Sequence, residues 1–100
     1  MALLHVALQE GFSTDFVVIR FNGMEVFHKF DVKTRLQTGY ADAVEKEVAD
    51  GQVTVEIELP HKNASELVTV DVRGPIYLGI SLTKDNHIRH KVSQEPFGYV

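Results

Sequence analysis

Residues 53–82 read VTVEIELPHKNASELVTVDVRGPIYLGISL, and apolar and polar side chains alternate in three runs within this stretch. The apolar members of the three runs are Val53, Val55, Ile57 and Leu59; Val68, Val70 and Val72; and Ile76, Leu78, Ile80 and Leu82. Because side chains two residues apart share one face of a β-strand, each run predicts a strand with one apolar face. The stretch therefore predicts three strands that supply much of a hydrophobic core.

The composition indicates an ordinary globular protein. The 100 residues are 44% apolar and 24% charged, which predicts one domain over 1–100, with 93–100 as a C-terminal tail. Cysteine is absent, so no disulfide framework or thiol chemistry is available. The net charge of -4 and the scattered Lys and Arg residues argue against a nucleic-acid partner.

The start of the chain, MALLHVALQEGF, lacks the basic segment of a signal peptide, and Gln9 and Glu10 interrupt its apolar run. No apolar run approaches the length needed to cross a bilayer. We therefore expect a cytoplasmic protein with no membrane partner.

The first half of the chain predicts a strand through Leu4, Val6 and Leu8, followed by a hairpin. In FVVIRF-NG-MEVFHK, Asn22-Gly23 suits a two-residue type I′ turn, which needs positive φ at both positions. That turn sets Phe21 opposite Met24, Arg20 opposite Glu25, Ile19 opposite Val26 and Val18 opposite Phe27. It predicts Met24 and Val26 on the apolar face and an Arg20–Glu25 cross-strand pair.

The segment after the hairpin is less regular. Weak alternation predicts a short strand near Leu36 to Tyr40. Residues 42–48 fit a strand, or a short helix capped by Asp42 with Val44 and Val48 one turn apart. We prefer the strand, because a helix this short would bury only two valines and the Asp50-Gly51 turn follows directly.

Charge selects a register for the next two strands if they pair directly. Placing Ile57 opposite Val68 sets Glu56 against Thr69, whereas a slide of two residues would oppose Glu56 and Asp71. The connecting loop is then residues 60–65. Pro75 is predicted at the beginning of the following strand, where a missing N–H is tolerated.

The last hairpin can be aligned by matching its apolar faces. A two-residue Asp85-Asn86 loop would set Leu82 against Arg89. A three-residue loop, residues 84–86, sets Leu82 against Ile88 and places Asn86 in the left-handed conformation that such loops require. We predict the three-residue loop.

These segments predict an all-β fold: an antiparallel β-sandwich of seven or eight strands, immunoglobulin-like or transthyretin-like, with no substantial helix. Turns follow one another at short, regular intervals, and no helix is long enough for a parallel crossover.

The segments FVVIRFNGMEVF, KTRLQTGYADAVEKEVADGQVTVEIELP and ELVTVDV, in this order, resemble carboxypeptidase regulatory-like or transthyretin-like modules. The resemblance lies in a hairpin, a link containing Thr and Gly, and a strand that starts at Asp50-Gly51. The aromatic residue usual after that glycine is missing, since Val53 and Val55 stand there. The resemblance implies an accessory or binding module without catalytic residues, and it transfers no functional positions.

No residue pattern in the chain indicates catalysis or a bound metal. His87 and His90 lie on opposite faces of a strand, and spacing alone does not bring His5, His28 and His61 together. The alternating Glu56 and Glu58 are typical of a solvated outer face rather than of a catalytic pair. Serines lack an elbow motif. We expect no enzyme activity, no cofactor and no metal.

The remaining candidates are a glycine and several aromatic residues. A glycine inside a strand often marks a close approach to the backbone, so we expect a ring of the tail, Phe97 or Tyr99, to lie over Gly79. Tyr77 falls on the outer face by alternation. Tyr77, Gly79, Phe97 and Tyr99 therefore form the candidate interaction patch.

The function that these observations favour is a non-catalytic protein-interaction or accessory module, which binds another protein or itself. Open sheet edges allow a homodimer. The alternative is a small-ligand or carbohydrate-binding domain that uses exposed aromatic residues.

Overall fold

The structure, a computed structural model, describes residues 1–98, and Tyr99 and Val100 lie outside the described residues. The strands are β1 (Ala2–Leu8), β2 (Asp15–Phe21), β3 (Met24–Val32), β4 (Asp42–Val48), β5 (Gly51–Leu59), β6 (Ala64–Val72), β7 (Ile76–Leu82) and β8 (Ile88–Ser93). A single 3₁₀ turn, Pro60–Lys62, connects β5 to β6. Within residues 1–98, no helix is long and apolar enough to cross a membrane. The predicted all-β sandwich is confirmed.

Two four-stranded sheets form the sandwich. Sheet A has the order β4-β1-β7-β8, and sheet B has the order β3-β2-β5-β6. Strands β1 and β7 pair in parallel, with Val6 opposite Leu78, while the other pairs are antiparallel. The N-terminal strand therefore lies in the middle of sheet A, between strands that follow it much later in the chain.

The core lies between the two sheets and consists of the alternating residues that the sequence indicates. Its largest fully buried side chains are Leu4, Leu8, Ile19, Ile57, Leu59, Leu78 and Ile80. Burying one such side chain stabilises the fold by about 1.5–3 kcal/mol. The core therefore accounts for why these strands, each with only one apolar face, pack as two layers.

The first hairpin has the predicted turn but not the whole predicted register. Asn22 and Gly23 both have positive φ, 51° and 83°, and Phe21 lies opposite Met24. A bulge beside Arg20 then moves Phe27 opposite Ile19, where Val26 was expected. The bulge points the larger Phe27 toward the core. Met24 lies at the exposed tip of the hairpin, 72% accessible, so its predicted place on the core face is wrong.

The predicted register of β5 and β6 is also wrong, by two residues. Val55, not Ile57, lies opposite Val68, and Glu56 lies opposite Leu67. The chain reverses in fewer residues than expected, because the 3₁₀ turn is followed at once by Asn63 in the left-handed conformation. Glu56 and Asp71 are apart in the observed register as well as in the predicted one. Repulsion between like charges therefore could not distinguish these two registers.

Other local predictions have mixed outcomes. The three-residue loop before β8 is confirmed: Leu82 lies opposite Ile88, and Asn86 has a φ of 61°. Residues 42–48 form a strand, as preferred. The strand predicted near Leu36 is wrong: Gly39 donates its N–H to the Arg35 carbonyl in a turn, and only one isolated bridge forms there.

Charged side chains close both open sides of the sandwich. On one side, Lys29 of β3 reaches Asp42 of β4, with Nζ 2.5 Å from Oδ2. On the other side, His90 Nδ1 of β8 lies 3.9 Å from Glu66 Oε2 of β6. Their strand partners, Val17 for Lys29 and Ile80 for His90, point into the core. Inward-facing charges on edge strands discourage uncontrolled strand addition.

Gly11 sits where the chain leaves β1 and passes close to β7. A Cβ atom at this position would lie 1.8 Å from the Leu82 carbonyl oxygen, and the φ of Gly11 is +92°. The Glu10 carbonyl accepts the Leu82 N–H at 2.8 Å, which fixes this approach. The position therefore requires glycine for both space and conformation.

Asp15 provides a buried polar link at the same end of the sandwich. Its side chain is 5% exposed, Lys62 Nζ lies 2.8 Å from Oδ1, and the Ser13 N–H donates to Oδ2 at 2.8 Å. The carboxylate thus ties the start of β2 to the 3₁₀ turn after β5. Both of its oxygens have partners, which burial of a charge requires.

We expect Gly11→Ala to lower the free energy of unfolding by about 2–4 kcal/mol, because the methyl group would force the backbone away from Leu82. Gly74→Ala is the matched control: its added methyl group would meet nothing within 4 Å, and we expect a change within about 0.5 kcal/mol. Urea denaturation measures both. Equal effects of the two substitutions would contradict the close approach.

We expect Asp15→Ala to cost about 1–3 kcal/mol, because it leaves the Ser13 N–H and the Lys62 ammonium without their partner. Asp71 pairs with the exposed Arg73, so Asp71→Ala is the control, with an expected change within about 0.5 kcal/mol. Thermal unfolding followed by circular dichroism compares the two. A change at Asp15 no larger than that at Asp71 would refute the buried link.

Candidate functional site

The outer face of sheet A carries the candidate site. Because Ile76, Leu78 and Ile80 point into the core, the residues between them in β7 point outward. The register places Gly79 opposite Lys91 and Ser81 opposite Arg89. On the outer face, two small residues of β7 therefore lie beside two long basic residues of β8. The small residues form the floor of a depression, and the basic side chains form one of its walls.

The group nearest the open side of Gly79 is an amide, not an aromatic ring. A Cβ atom at Gly79 would meet the side-chain atoms of Gln9, with Oε1 at 2.7 Å. Gln9 follows β1, and its N–H donates to the Ile80 carbonyl at 2.7 Å, which holds it alongside β7. The glycine does mark a close approach, and the atoms nearest to it are those of the Gln9 side chain. A contact from Tyr99 would lie outside the described residues.

A groove of about 550 Å³ opens over this floor. Its lining includes Glu10, Thr38, Arg89, Lys91 and Phe97, together with Gln9, Gly79 and Ser81. The groove thus combines the end of β1, the turn after β3, the edge strand β8 and the C-terminal tail. Within residues 1–98, the Thr38 hydroxyl oxygen is shielded from solvent and has no hydrogen-bond partner.

The charges of the groove are unevenly distributed. The ammonium of Lys91 lies 5.3 Å from the centre of the Phe97 ring, a cation–π contact that holds the tail against β8. In the part of the chain that the structure describes, neither Arg89 nor Lys91 has an ion-pair partner. The groove therefore presents two cationic groups and an aromatic ring, with Glu10 in the same lining.

Of the predicted patch, Tyr77 does not line the groove. Gly79 and Phe97 share the groove. Tyr77 instead packs its ring against His5, with centroids 5.5 Å apart, and His5 Nδ1 lies 2.6 Å from Glu45 Oε1 on β4. Tyr99 lies outside the described residues. The sequence identified β7 and the C-terminal tail as parts of the site. It did not identify Gln9, Glu10 and Thr38, which only the fold brings next to them.

A second surface, on the outer face of sheet B, was also missed. The rings of Phe16 and Phe30 stack with their centroids 4.1 Å apart. The ring centroids of His28 and His61 lie 5.0 and 5.3 Å from that of Phe16. A register shift and the left-handed Asp31 place Phe30 beside Phe16. These rings come from three segments, so alternation within one strand could not bring them together.

The sequence suggested that the outer carboxylates of β5 are solvated, but both of them bond to a neighbouring strand. Arg20 Nη1 donates to Glu56 Oε1 and to Glu58 Oε1, each at 3.0 Å. The hydrogen bonds to Glu58 and Glu56 raise the pKa of Arg20. Arg20 lies opposite Glu25, as predicted, but its side chain bonds to Glu56 and Glu58 of β5. The arrangement is an ion-pair network across two strands.

Within residues 1–98, no group of three or more His, Cys, Asp or Glu side chains is placed to hold a metal ion. In the groove, Ser81 offers a hydroxyl, but the ring of His90 is directed across the sandwich to Glu66. The groove therefore offers groups for ion pairing, hydrogen bonding and stacking.

Comparison with protein-family models, with curated proteins and with solved structures gives no match to this chain.

The contact between Gly79 and Gln9 gives a prediction for the groove floor. We expect Gly79→Ala to raise the free energy of unfolding by about 0.5–1 kcal/mol in a Gln9→Ala background, because alanine suits a strand better than glycine once the amide is gone. In the wild-type background, displacement of Gln9 should cancel or reverse this gain.

A double-mutant cycle by urea denaturation measures this coupling. A Phe97→Ala background serves as the control and should leave the effect of Gly79→Ala as it is in wild type. Coupling to Phe97 in place of Gln9 would show that the ring, and not the amide, packs on Gly79.

Proposed function

We propose that this domain is a non-catalytic interaction module that binds an acidic polypeptide segment in the groove on the outer face of sheet A. The observation that carries the proposal is the pair of basic side chains, Arg89 and Lys91, which lie beside Phe97 and have no ion-pair partner among residues 1–98. An acidic segment would supply carboxylates for the two cations, and an apolar side chain of the same segment would contact the ring.

The form of the groove supports a polypeptide. It runs beside β8, a strand at the edge of sheet A whose second side has no strand partner among residues 1–98. An extended peptide can bind along such an edge through its backbone while its side chains enter neighbouring depressions. Because Ser81 carries little side chain, the peptide can approach β7 closely there, whereas at Gly79 it would meet the side chain of Gln9.

The resemblance to carboxypeptidase regulatory-like or transthyretin-like modules supports the same class of function. That resemblance implies a sandwich of seven or eight strands, and such modules are usually accessory or binding domains. A cytoplasmic location is part of the proposal, and subcellular fractionation tests it directly.

A small ligand or carbohydrate is the second candidate. The groove volume of about 550 Å³ is within the range of small-molecule sites. Phe97 offers a ring for stacking, while Gln9 and Glu10 offer hydrogen-bonding groups. The polar lining fits a hydroxylated ligand better than an apolar one.

Selection from a phage-displayed random peptide library tests the proposal. Peptides are selected on the wild-type domain after depletion on an Arg89→Ala/Phe97→Ala variant. We expect enriched sequences to contain acidic residues together with an apolar residue, and we expect single Arg89→Ala and Phe97→Ala substitutions to weaken their binding by about tenfold or more. Fluorescence anisotropy with a labelled peptide measures the binding.

Lys84→Ala is the matched control, because Lys84 is an exposed cation on the loop before β8 and does not line the groove. It should bind the peptides like wild type. No enrichment, or enrichment of peptides that bind the groove variants equally well, would overturn the proposal. Binding on a glycan array that is lost with Phe97→Ala, without peptide enrichment, would replace it by the second candidate.

A further inference from the structure

The two edges of sheet A carry opposite charges. At the centre of β4 the sequence is Glu45-Lys46-Glu47, and at the centre of β8 it is Arg89-His90-Lys91, and all six residues are exposed. One edge of the same sheet is therefore acidic on its outer face, and the other edge is basic.

The charged side chains of both edges point to the same face. Glu45 lies opposite His5 of β1, and Arg89 lies opposite Ser81 of β7; these partners point away from the core, as their strand neighbours point into it. Glu47 and Lys91 are two residues further along and share the outer face. Lys46 and His90 point to the inner side.

The two edges also run in the same direction. Strand β4 is antiparallel to β1, β1 is parallel to β7, and β7 is antiparallel to β8. A second copy displaced sideways within the plane of the sheet would therefore place its β8 beside β4 of the first copy as a parallel pair. The pairings through β1 and β7 set Glu45 level with Ser93 of β8, so bringing Glu45 level with Arg89 also needs a displacement from Ser93 to Arg89 along the strands, about 13 Å. In that arrangement the outer faces of both copies stay on one side.

We propose that the domain self-associates head to tail, through the acidic β4 edge of one copy and the basic β8 edge of the next. Glu45 then lies beside Arg89 of the neighbouring copy, and Glu47 beside its Lys91. The contact shares Arg89 and Lys91 with the groove, and in this respect it rests on the proposed function. Its other half, Glu45 and Glu47, lies on the opposite edge of the sheet.

Charge favours this contact over a symmetric dimer. A two-fold pairing of β4 with β4 would oppose Glu45 and Glu47 with their own copies, and a pairing of β8 with β8 would oppose two basic residues in the same way. The expected homodimer through these edges is therefore disfavoured. A head-to-tail contact leaves one acidic and one basic edge free, so it adds further copies instead of closing.

The contact should be weak and sensitive to salt. Parallel pairing is slightly less stable than antiparallel pairing, and both strands are short. His5 already holds one carboxylate oxygen of Glu45, with Nδ1 2.6 Å from Oε1, whereas no described residue forms an ion pair with Glu47. Exposed ion pairs of this kind are screened at high ionic strength.

Charge reversal with complementation tests the proposal by sedimentation velocity. At low ionic strength we expect the average mass of the wild type to rise with concentration, and at about 1 M salt we expect a monomer. Glu45→Lys/Glu47→Lys makes both edges basic, and Arg89→Glu/Lys91→Glu makes both edges acidic. Each variant alone should associate at least about tenfold more weakly than wild type.

A mixture of the two variants should recover association, because every basic edge then meets an acidic edge. A wild type that is monomeric at every concentration, association that charge reversal leaves unchanged, or a mixture that stays monomeric would overturn the proposal. Should either reversal unfold the domain in urea titrations, Glu45→Gln/Glu47→Gln removes the charge with less disturbance and should still weaken association.

The two proposals fail separately. Phe97→Ala should abolish peptide binding and leave self-association unchanged, whereas Glu45→Lys/Glu47→Lys should do the reverse. Loss of self-association with Phe97→Ala would show that the groove, and not the sheet edge, joins the copies, and would overturn the edge contact.

Discussion

The parallel pairing of β1 with β7 is the contact on which the rest of the structure depends. It brings the first strand into the middle of sheet A, so that β4 and β8 become the two edges and both run in one direction. It also brings Gly11 against the Leu82 backbone and holds Gln9 over Gly79. The core, the groove floor and the charged edges are thus consequences of one long-range alignment.

The two sides of the sandwich show how the fold controls its edges. Lys29 and Asp42 close the side formed by β3 and β4, while Glu66 and His90 face each other between β6 and β8. These charges point inward, where an added strand would have to desolvate them. The outer faces of β4 and β8 carry charges as well, and of these Glu47, Arg89 and Lys91 have no ion-pair partner among residues 1–98. The fold therefore discourages indiscriminate strand pairing and leaves a charge-selected contact open.

The sequence was informative wherever a local pattern determines structure. Alternation identified the core strands, Asn22-Gly23 identified a turn that requires positive φ, and face matching fixed Leu82 opposite Ile88. It failed where the structure depends on insertions of a single residue or on distant segments. The bulge beside Arg20 moved Phe27 opposite Ile19, and the short turn ending at Asn63 shifted the next register by two residues.

For the site too, the sequence revealed local features but not contacts between distant segments. Gly79 was recognisable as a place of close approach because glycine is rare inside strands. The residue that approaches it, Gln9, comes from the other end of the chain, and no local pattern connects the two. Glu10 and Thr38 likewise join the groove only through the fold. Chemistry that one strand displays could be read from the chain. A surface assembled from the end of β1, the turn after β3, β7, β8 and the tail could not.

The charged edges of sheet A also give the molecule a direction. About two charges of each sign lie at opposite edges, separated by three strand spacings or roughly 14 Å, so the sheet has an electric dipole in its own plane. A charged surface would attract one edge and repel the other, and would orient the domain before contact. An acidic protein of net charge -4 can thus present a basic edge to an anionic support and an acidic edge to a cationic one.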